Sequence, residues 1–336
     1  MLKLERLDLK RIDWQELDSF PDRNVYQTRE WLEFVGKTQN ADPVLAAVKR
    51  SGETVGFFTG LVVRRYGIRI LGSPFRGWTT AYMGFNLRDG VSRRAAAEAL
   101  VPFAFGSLRC MHLELRDRQL TIDEVEGLGF THSAKTIFEV DLRPPEDEIF
   151  SRMSSACRRC IRKAEKVGVT IEEADDLEFA DEYYAQLRDV FAKQSLVPPY
   201  GAARVTELIR HLHPTGRLLL LRARDPEGKC IATGIFPAMN RTVDFWGGAS
   251  WHEHQILRPN EAVMWYAMRY WKARSIESFD LGGGAEYKRK YGGLEVPVPS
   301  FMTSRFRALS GARQMAKKGV RLRQAALGRF NRRAKA

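Results

Sequence analysis

Four cysteines in 336 residues are too few for a disulfide scaffold. Cys157 and Cys160 have zinc-knuckle spacing, but no second pair lies near them, and Cys110 and Cys230 are isolated. No uncharged apolar run approaches the roughly 18–20 residues that span a bilayer. The opening Met1-Leu2-Lys3-Leu4-Glu5-Arg6 carries charge where a secretory leader needs a continuous apolar stretch. There is no Gly-x-Ser-x-Gly nucleophile elbow and no phosphate-loop lysine pattern. His211/His213 and His252/His254 are spaced two apart, not at the one-face helical spacing of a metalloprotease. These absences leave a reduced, soluble, cytoplasmic protein without a resident metal as the expectation. With 44% hydrophobic and 28% charged residues the chain can bury a sizeable core, and its length suits one large or two ordinary domains.

Acidic residues are missing from one place in particular. Residues 305–336 hold 11 Lys+Arg and no Asp or Glu, whereas the preceding 304 residues are close to neutral at +2. The tail also carries Leu309, Ala312, Ala316, Val320, Leu327 and Phe330 at helical spacing. Such a segment suits an anionic membrane surface, where each basic side chain contributes about 1 kcal/mol, or an RNA backbone. A solvated chain end carries the same composition, so the reading stays open between these.

Along the rest of the chain, strands alternate with helices. Thr28 is placed to cap a helix beginning Glu30-Trp31-Leu32-Glu33-Phe34-Val35. β-like runs follow, and Thr121-Ile122-Asp123-Glu124 reads as a capping box. In the second half, helices are predicted over about 177–194 and 202–212 and strands over 217–223, 230–236 and 242–249, with a helix opened by Pro259. A strand–loop–helix–strand unit recurs at 79–115 and 242–281, which predicts two α/β domains with mixed sheets. Pro144-Pro145 suggests the boundary. The expected domains are therefore 1–143, 144–304 and a basic tail 305–336, with a ligand cleft between the first two.

Two stretches carry chemistry. In Asp280-Leu281-Gly282-Gly283-Gly284-Ala285-Glu286-Tyr287-Lys288-Arg289-Lys290-Tyr291-Gly292-Gly293 a strand ends in three glycines, where backbone can approach a ligand. The carboxylate, phenol and ammonium of Glu286, Tyr287 and Lys288 follow. Such a cluster can accept an amine proton or stabilise an oxyanion, and a glycine-rich turn with exposed basic residues is the equally weighted structural alternative. The second stretch, 152–166, reads as a Ser-capped helix with six basic residues against Glu165. Arg158 and Arg162 share one face and Arg159 lies on another, either able to grip phosphate or carboxylate, or simply solvated. His252 precedes the main helix of the second repeat, where a substrate contact is feasible. Trp246 belongs to an aromatic set that suits a core or cleft wall.

Arg158-Arg159-Cys160-Ile161-Arg162-Lys163-Ala164-Glu165-Lys166 resembles the basic helix of the FemAB/FemX peptidoglycan aminoacyltransferases. Trp246-Gly247-Gly248-Ala249, Pro259-Asn260, Asp280-Leu281-Gly282 and Tyr287-Lys288-Arg289-Lys290-Tyr291-Gly292 resemble the C-terminal signature of the wider FemAB-like acyltransferases, a branch of the GNAT superfamily with two GNAT-like domains in tandem. The resemblance covers about 25–303. It implies acyl or aminoacyl transfer to a primary amine, with Lys288 stabilising the oxyanion beside Tyr287, and Arg158, Arg159 and Arg162 at the acceptor. It also marks Trp246, Asn260 and Tyr291 as substrate-contact candidates. The coiled-coil arm of some FemA-type enzymes is absent, and so is the Arg/Gln-x-x-Gly-x-Gly/Ala pyrophosphate loop of CoA-using relatives.

The expectation is an N-acyltransferase using acyl-CoA as co-substrate, with Glu286 taking the proton. Its acceptor is an amine on a cell-envelope precursor or a lipid, reached from the inner face of the cytoplasmic membrane if the tail binds there. The alternatives are an aminoacyl-tRNA-dependent peptidoglycan bridge enzyme, and a non-catalytic protein that holds an envelope precursor or RNA.

Overall fold

The computed structural model describes residues 1–65, 67–283 and 286–306. Gly284 and Ala285, and all of the predicted basic tail beyond Phe306, lie outside the described residues. The chain divides into two compact units, the first holding residues 1–136 and 297–306 and the second residues 137–296.

The first unit is built from β1 (Leu2–Arg6), α1 (Trp14–Asp18), α2 (Arg29–Gln39), β2 (Asp42–Arg50), β3 (Glu53–Arg65), β4 (Ile68–Ser73), β5 (Gly84–Leu87), α3 (Arg93–Pro102), β6 (His112–Leu115), α4 (Ile122–Val125) and the start of β7 (Thr131–Asp141). Thr28 caps α2 as its position predicts, its hydroxyl accepting from Trp31 N at 3.3 Å. Trp31, Leu32, Phe34 and Val35 form the buried face of that helix. Strands β1, β2, β3 and β4 pair antiparallel in sequence order. β6 then lies parallel to β4, from Ile70↔His112 to Ser73↔Leu115, with α3 in the crossover. Val48, Phe58, Leu71, Leu100, Leu113 and Phe301 are among the residues that close the core.

The second unit continues with α5 (Glu146–Arg152), α6 (Ser155–Lys166), β8 (Thr170–Glu173), α7 (Phe179–Lys193), α8 (Ala202–Leu212), β9 (Leu218–Arg224), β10 (Cys230–Met239), β11 (Thr242–Asp244), β12 (Gly247–Ser250), α9 (Pro259–Lys272) and β13 (Ser278–Gly283), and β14 (Leu294–Ser304) returns to the first unit from Pro297. Its strands run β7-β13-β11-β10-β9-β8. The step from β11 to β13 is parallel and crosses over through α9, which repeats the β4–α3–β6 arrangement of the first unit. The sequence unit 242–281 takes in the whole of this step, whereas 79–115 takes in β5, α3 and β6 and leaves out β4, the parallel partner of β6. Among the described residues no helix is long and apolar enough to cross a membrane.

Three sequence expectations need correction. The passage between the units is at 136/137, not 143/144, because β7 pairs with β13 from Ile137 onward. Pro144-Pro145 instead lead into α5, with Pro145 at its N-cap. The chain also leaves the second unit near Pro297, and Phe301–Ser304 of β14 pair with β6 in the first. Pro297 and Pro299 interrupt that strand's apolar alternation and hide it from a pattern search.

Candidate active site

The second unit contains an opening in its sheet. β11 runs parallel to β13 only as far as Asp244↔Asp280. Phe245 N still donates to Asp280 O at 2.8 Å, but Trp246 N turns to Ile235 O at 3.1 Å, and Gly247–Ser250 pair with β10 alone. The chain thus follows β10 while β13 diverges. A cavity of about 320 Å³ sits where the strands part. Thr233 faces α7, bonding Gln186 at 2.8 Å, and a Cβ at Gly234 would meet Val263 of α9, so the two helices cover opposite faces of β10. Val190 from α7 and Val263 and Met264 from α9 all line the cavity, which therefore passes through the sheet.

In the first unit the equivalent divergence is closed by side chains. Past the β4/β6 pair, β5 pairs with β3, and Phe85 N donates to Asp117 Oδ2 at 2.8 Å. Arg93 Nη1 donates to the same oxygen at 2.8 Å, and its Nη2 to Asp22 at 2.6 Å. An ion pair with little exposure thus lies past the β4/β6 pair, at the topological counterpart of the opening beyond β11/β13.

Lys288 lines the cavity. It comes from the 3-10 turn Glu286–Tyr291 that follows β13. Its Nζ donates to Leu281 O at 2.5 Å and Gly283 O at 3.3 Å, and stands 5.7 Å from the centre of the Phe245 ring. An ammonium has three donors, so these two bonds leave one for a ligand. Burial lowers the Lys288 pKa, and the carboxylate of Asp280 opposes that shift. The tight return of the chain rests on Gly282, whose φ of +71° is costly for any residue with a Cβ. Gly282 N donates to Asp280 Oδ1 at 2.6 Å, which fixes the end of β13.

A small polar group also lines this cavity. Ser250 Oγ accepts from Asn260 Nδ2 at 3.0 Å and from Gln255 Nε2 at 3.3 Å, and all three residues line the cavity. Tyr287, Lys290 and Tyr291 complete it. Lys290 donates to the buried Glu261 at 2.7 Å and lies 5.0 Å from the Tyr291 ring centre. Burial pushes the Tyr291 phenol well above its usual range, so it stays a neutral donor.

Of the residues singled out in the sequence, Tyr287, Lys288, Asn260 and Tyr291 meet at this cavity. The other six do not line it. Glu286 is exposed and paired with Arg289 at 2.6 Å, so the expected proton acceptor is held outside. No Asp or Glu is among the lining residues. Arg158 ties its own approach segment, donating to Ser151 O at 2.6 Å and Met153 O at 2.5 Å. Arg162 lies 5.4 Å from the Phe150 ring centre and Arg159 is exposed, because α6 buries Cys157, Ile161 and Ala164 and turns its arginines away from that face. Trp246 packs against Tyr200 at 5.4 Å. Phe245 lines the cavity and its neighbour in an extended chain points the other way. His252 is exposed, 3.3 Å from Gln255. The residues lining the cavity all belong to the second unit. Sequence reading missed Ser250 and Gln255, although Ser250 ends the Trp246-Gly247-Gly248-Ala249 run that was noticed.

Comparison with known proteins agrees with this arrangement. The acetyltransferase (GNAT) domain family matches residues 151–289, which hold the opened strands and Lys288. Over a larger span the chain shares the fold of FemX, with a TM-score of 0.74 at 15% identity, covering 92% of this chain and 99% of FemX. A tandem GNAT protein from the clavulanic acid biosynthesis pathway is similar at a TM-score of 0.54 and 12% identity, covering 90% of this chain and 98% of that one. L-PGS from Bacillus licheniformis is similar at 0.54 and 11%, covering 85% and 91%. No curated protein matches at a significant level. The tandem GNAT, FemX-like architecture implied by the sequence is therefore the fold observed.

The cavity depends on a close approach at Gly248. A Cβ there would lie 2.7 Å from the Phe245 ring, the surface beneath Lys288. Gly248→Ala is expected to push that ring into the cavity at a cost of about 1–3 kcal/mol, the usual range for overpacking. Thermal denaturation should show a Tm several degrees lower, and ligand affinity should fall with it.

Proposed function

We propose that the second unit moves an acyl group from an acyl-CoA thioester to a primary amine. The observation that carries this reading is Lys288, held by two backbone carbonyls at the mouth of the opened strands with one N–H left over. The amine lone pair attacks the thioester carbon, and the carbonyl oxygen gathers the charge. Lys288 donates to that oxyanion. The intermediate collapses, the C–S bond breaks, the thiolate takes up a proton and an amide remains. The amine's own proton passes to water at the cavity mouth, since Glu286 is turned away and no carboxylate lines the wall. Asn260 and Gln255 orient the Ser250 hydroxyl, which then has its hydrogen free for the substrate. The acceptor we favour is an amine on an envelope precursor or lipid.

Incubating the protein with acyl-CoA and candidate amines tests this. Amine-dependent release of free thiol, with product masses equal to amine plus acyl group, is the expected result. Likeness to FemX favours one alternative, aminoacyl-tRNA as donor. That alternative predicts RNase sensitivity and a steep salt dependence without thiol release. Inertness towards both donors, with retained binding of an envelope precursor or RNA, would mark a non-catalytic protein.

A further inference from the structure

We propose that the outer face of α6 docks the protein on an anionic lipid surface. This face lies apart from the residues on which the acyl-CoA reading rests, and either assignment can fail without the other.

Uncompensated charge is the first reason. Cys157, Ile161 and Ala164 bury one side of α6, while Arg159, Arg162, Lys163 and Lys166 stand exposed. Among the described residues none of these four cations forms an ion pair. By contrast Arg152, Arg210, Arg224, Lys229, Arg269 and Arg289 of the same unit each meet a carboxylate at 3.2 Å or less. Acids on the segments that flank α6 are committed to other partners. Before it, Glu148 meets Arg152 and Glu146 meets Arg269; after it, Glu172 meets Arg224 and Glu173 accepts from Tyr266.

Spacing is the second reason. From 159 to 166 the helix rises about 10 Å, which is about one Debye length at 0.1 M salt. The four charges therefore act on one surface together. Counterions alone would otherwise balance them, and a polyanion that displaces those ions gains by doing so.

The neighbouring rings decide which polyanion fits. The Arg162 guanidinium lies 5.4 Å from the centre of the Phe150 ring, and Trp265 of α9 packs on the same ring at 5.2 Å. Phe150 is thus not free to stack on a base, whereas open aromatic faces are what single-stranded RNA binds. Trp265 is half-buried, and an amphipathic ring beside basic side chains suits the headgroup level of a bilayer. Ser154 N, at the start of α6, donates to Lys290 O at 2.9 Å, which joins the basic helix to the turn that carries Lys288. Docking through α6 therefore holds the candidate active site at the membrane.

The test is flotation of the full-length protein with vesicles of phosphatidylglycerol and phosphatidylcholine in equal parts, and with phosphatidylcholine vesicles alone. Binding to the first and not to the second is expected. Each basic side chain near such a surface contributes about fivefold in affinity, so Arg162→Gln with Lys166→Gln should weaken binding about 25-fold. Arg159→Gln with Lys163→Gln is a second, independent pair. Glutamine keeps the helix propensity of the residues it replaces, and circular dichroism checks each fold. Lys317→Gln with Lys318→Gln removes the same charge from the basic tail and should cost less than either α6 pair. An equal or larger loss from the tail pair assigns the docking to the tail and overturns the inference. Parent-like flotation of both folded α6 pairs overturns it too, as does failure of the parent to float with anionic vesicles. A labelled tRNA mixture is titrated in parallel. If the α6 pairs lose affinity for tRNA while keeping it for vesicles, the face binds RNA and the membrane assignment falls. Thiol release in solution reports the acyl-CoA reading separately.

Discussion

Replacing Lys288 by methionine is expected to lower turnover by about 10²–10³, the usual loss when one preorganised oxyanion donor is removed. Methionine keeps an apolar stem and removes the ammonium. The size of the loss follows from where the charge sits. Lys288 Nζ is tied to Leu281 O and Gly283 O and backed by Phe245, so it needs no reorganisation when an oxyanion appears. An ammonium in open water would have to shed its hydration first. Because the interaction strengthens only as charge develops on the carbonyl oxygen, kcat should fall with little change in donor affinity. A merely structural lysine would behave differently: its removal would lower Tm and weaken donor binding in proportion to any loss of rate. Steady-state kinetics with thiol detection, beside thermal denaturation, separates the two. Full turnover in the variant would remove Lys288 from the mechanism.

The pH profile carries the same assignment. The active form of Lys288 is charged, and burial lowers its pKa below the ordinary 10.5 while Asp280 resists the shift. As pH rises through that lowered value the ammonium becomes neutral and turnover falls. The falling limb therefore lies below pH 10.5 and is absent from Lys288→Met. A rising limb comes from the acceptor amine, which must be neutral to attack, and it persists in the variant.

Local order was easiest to read in the sequence. Thr28, Thr121 and Ser154 each cap the helix their positions foretold, because a cap is a contact within three residues. The parallel step of the second unit was legible too, as strand and helix patterns alternate wherever a crossover covers a sheet, but the span 79–115 missed β4, the parallel partner in the first unit. What stayed hidden depends on partners distant in the chain. Ser250 and Gln255 gain a role only through Asn260 and the departure of β13. Arg158, Arg159 and Arg162 looked like a substrate-binding face, but the buried side of α6 was decided by Cys157, Ile161 and Ala164 packing inward. Glu286 sits two residues from Lys288, and a 3-10 turn carries neighbouring side chains in different directions. Its pairing with Arg289 follows directly from the three-residue repeat of that turn.

Arg93→Ala should be the most damaging single change in the first unit, destabilising it by about 3–5 kcal/mol, as expected when one partner of a buried pair is removed. Arg93 joins Asp117 at 2.8 Å and Asp22 at 2.6 Å, with the three side chains only 11%, 3% and 11% exposed. Alanine leaves two carboxylates in a region with little water, one of them still accepting from Phe85 N. The pH dependence has a definite sign. Burial pushes the Asp117 carboxyl up and Arg93 opposes it, so losing the guanidinium raises the folded-state pKa further. Below the ordinary value of 3.8 the carboxyl is protonated both folded and unfolded, and this part of the penalty is absent. As pH rises the unfolded chain ionises first, and stability falls until the folded-state pKa is passed. Urea unfolding of Arg93→Ala from pH 3 to pH 8 should show a deficit that grows with pH relative to the parent. Adding Asp117→Asn should recover part of it at neutral pH, because a neutral amide has no charge to strand. A deficit independent of pH, and untouched by the second substitution, would mean that packing rather than charge seals the first unit's strand opening.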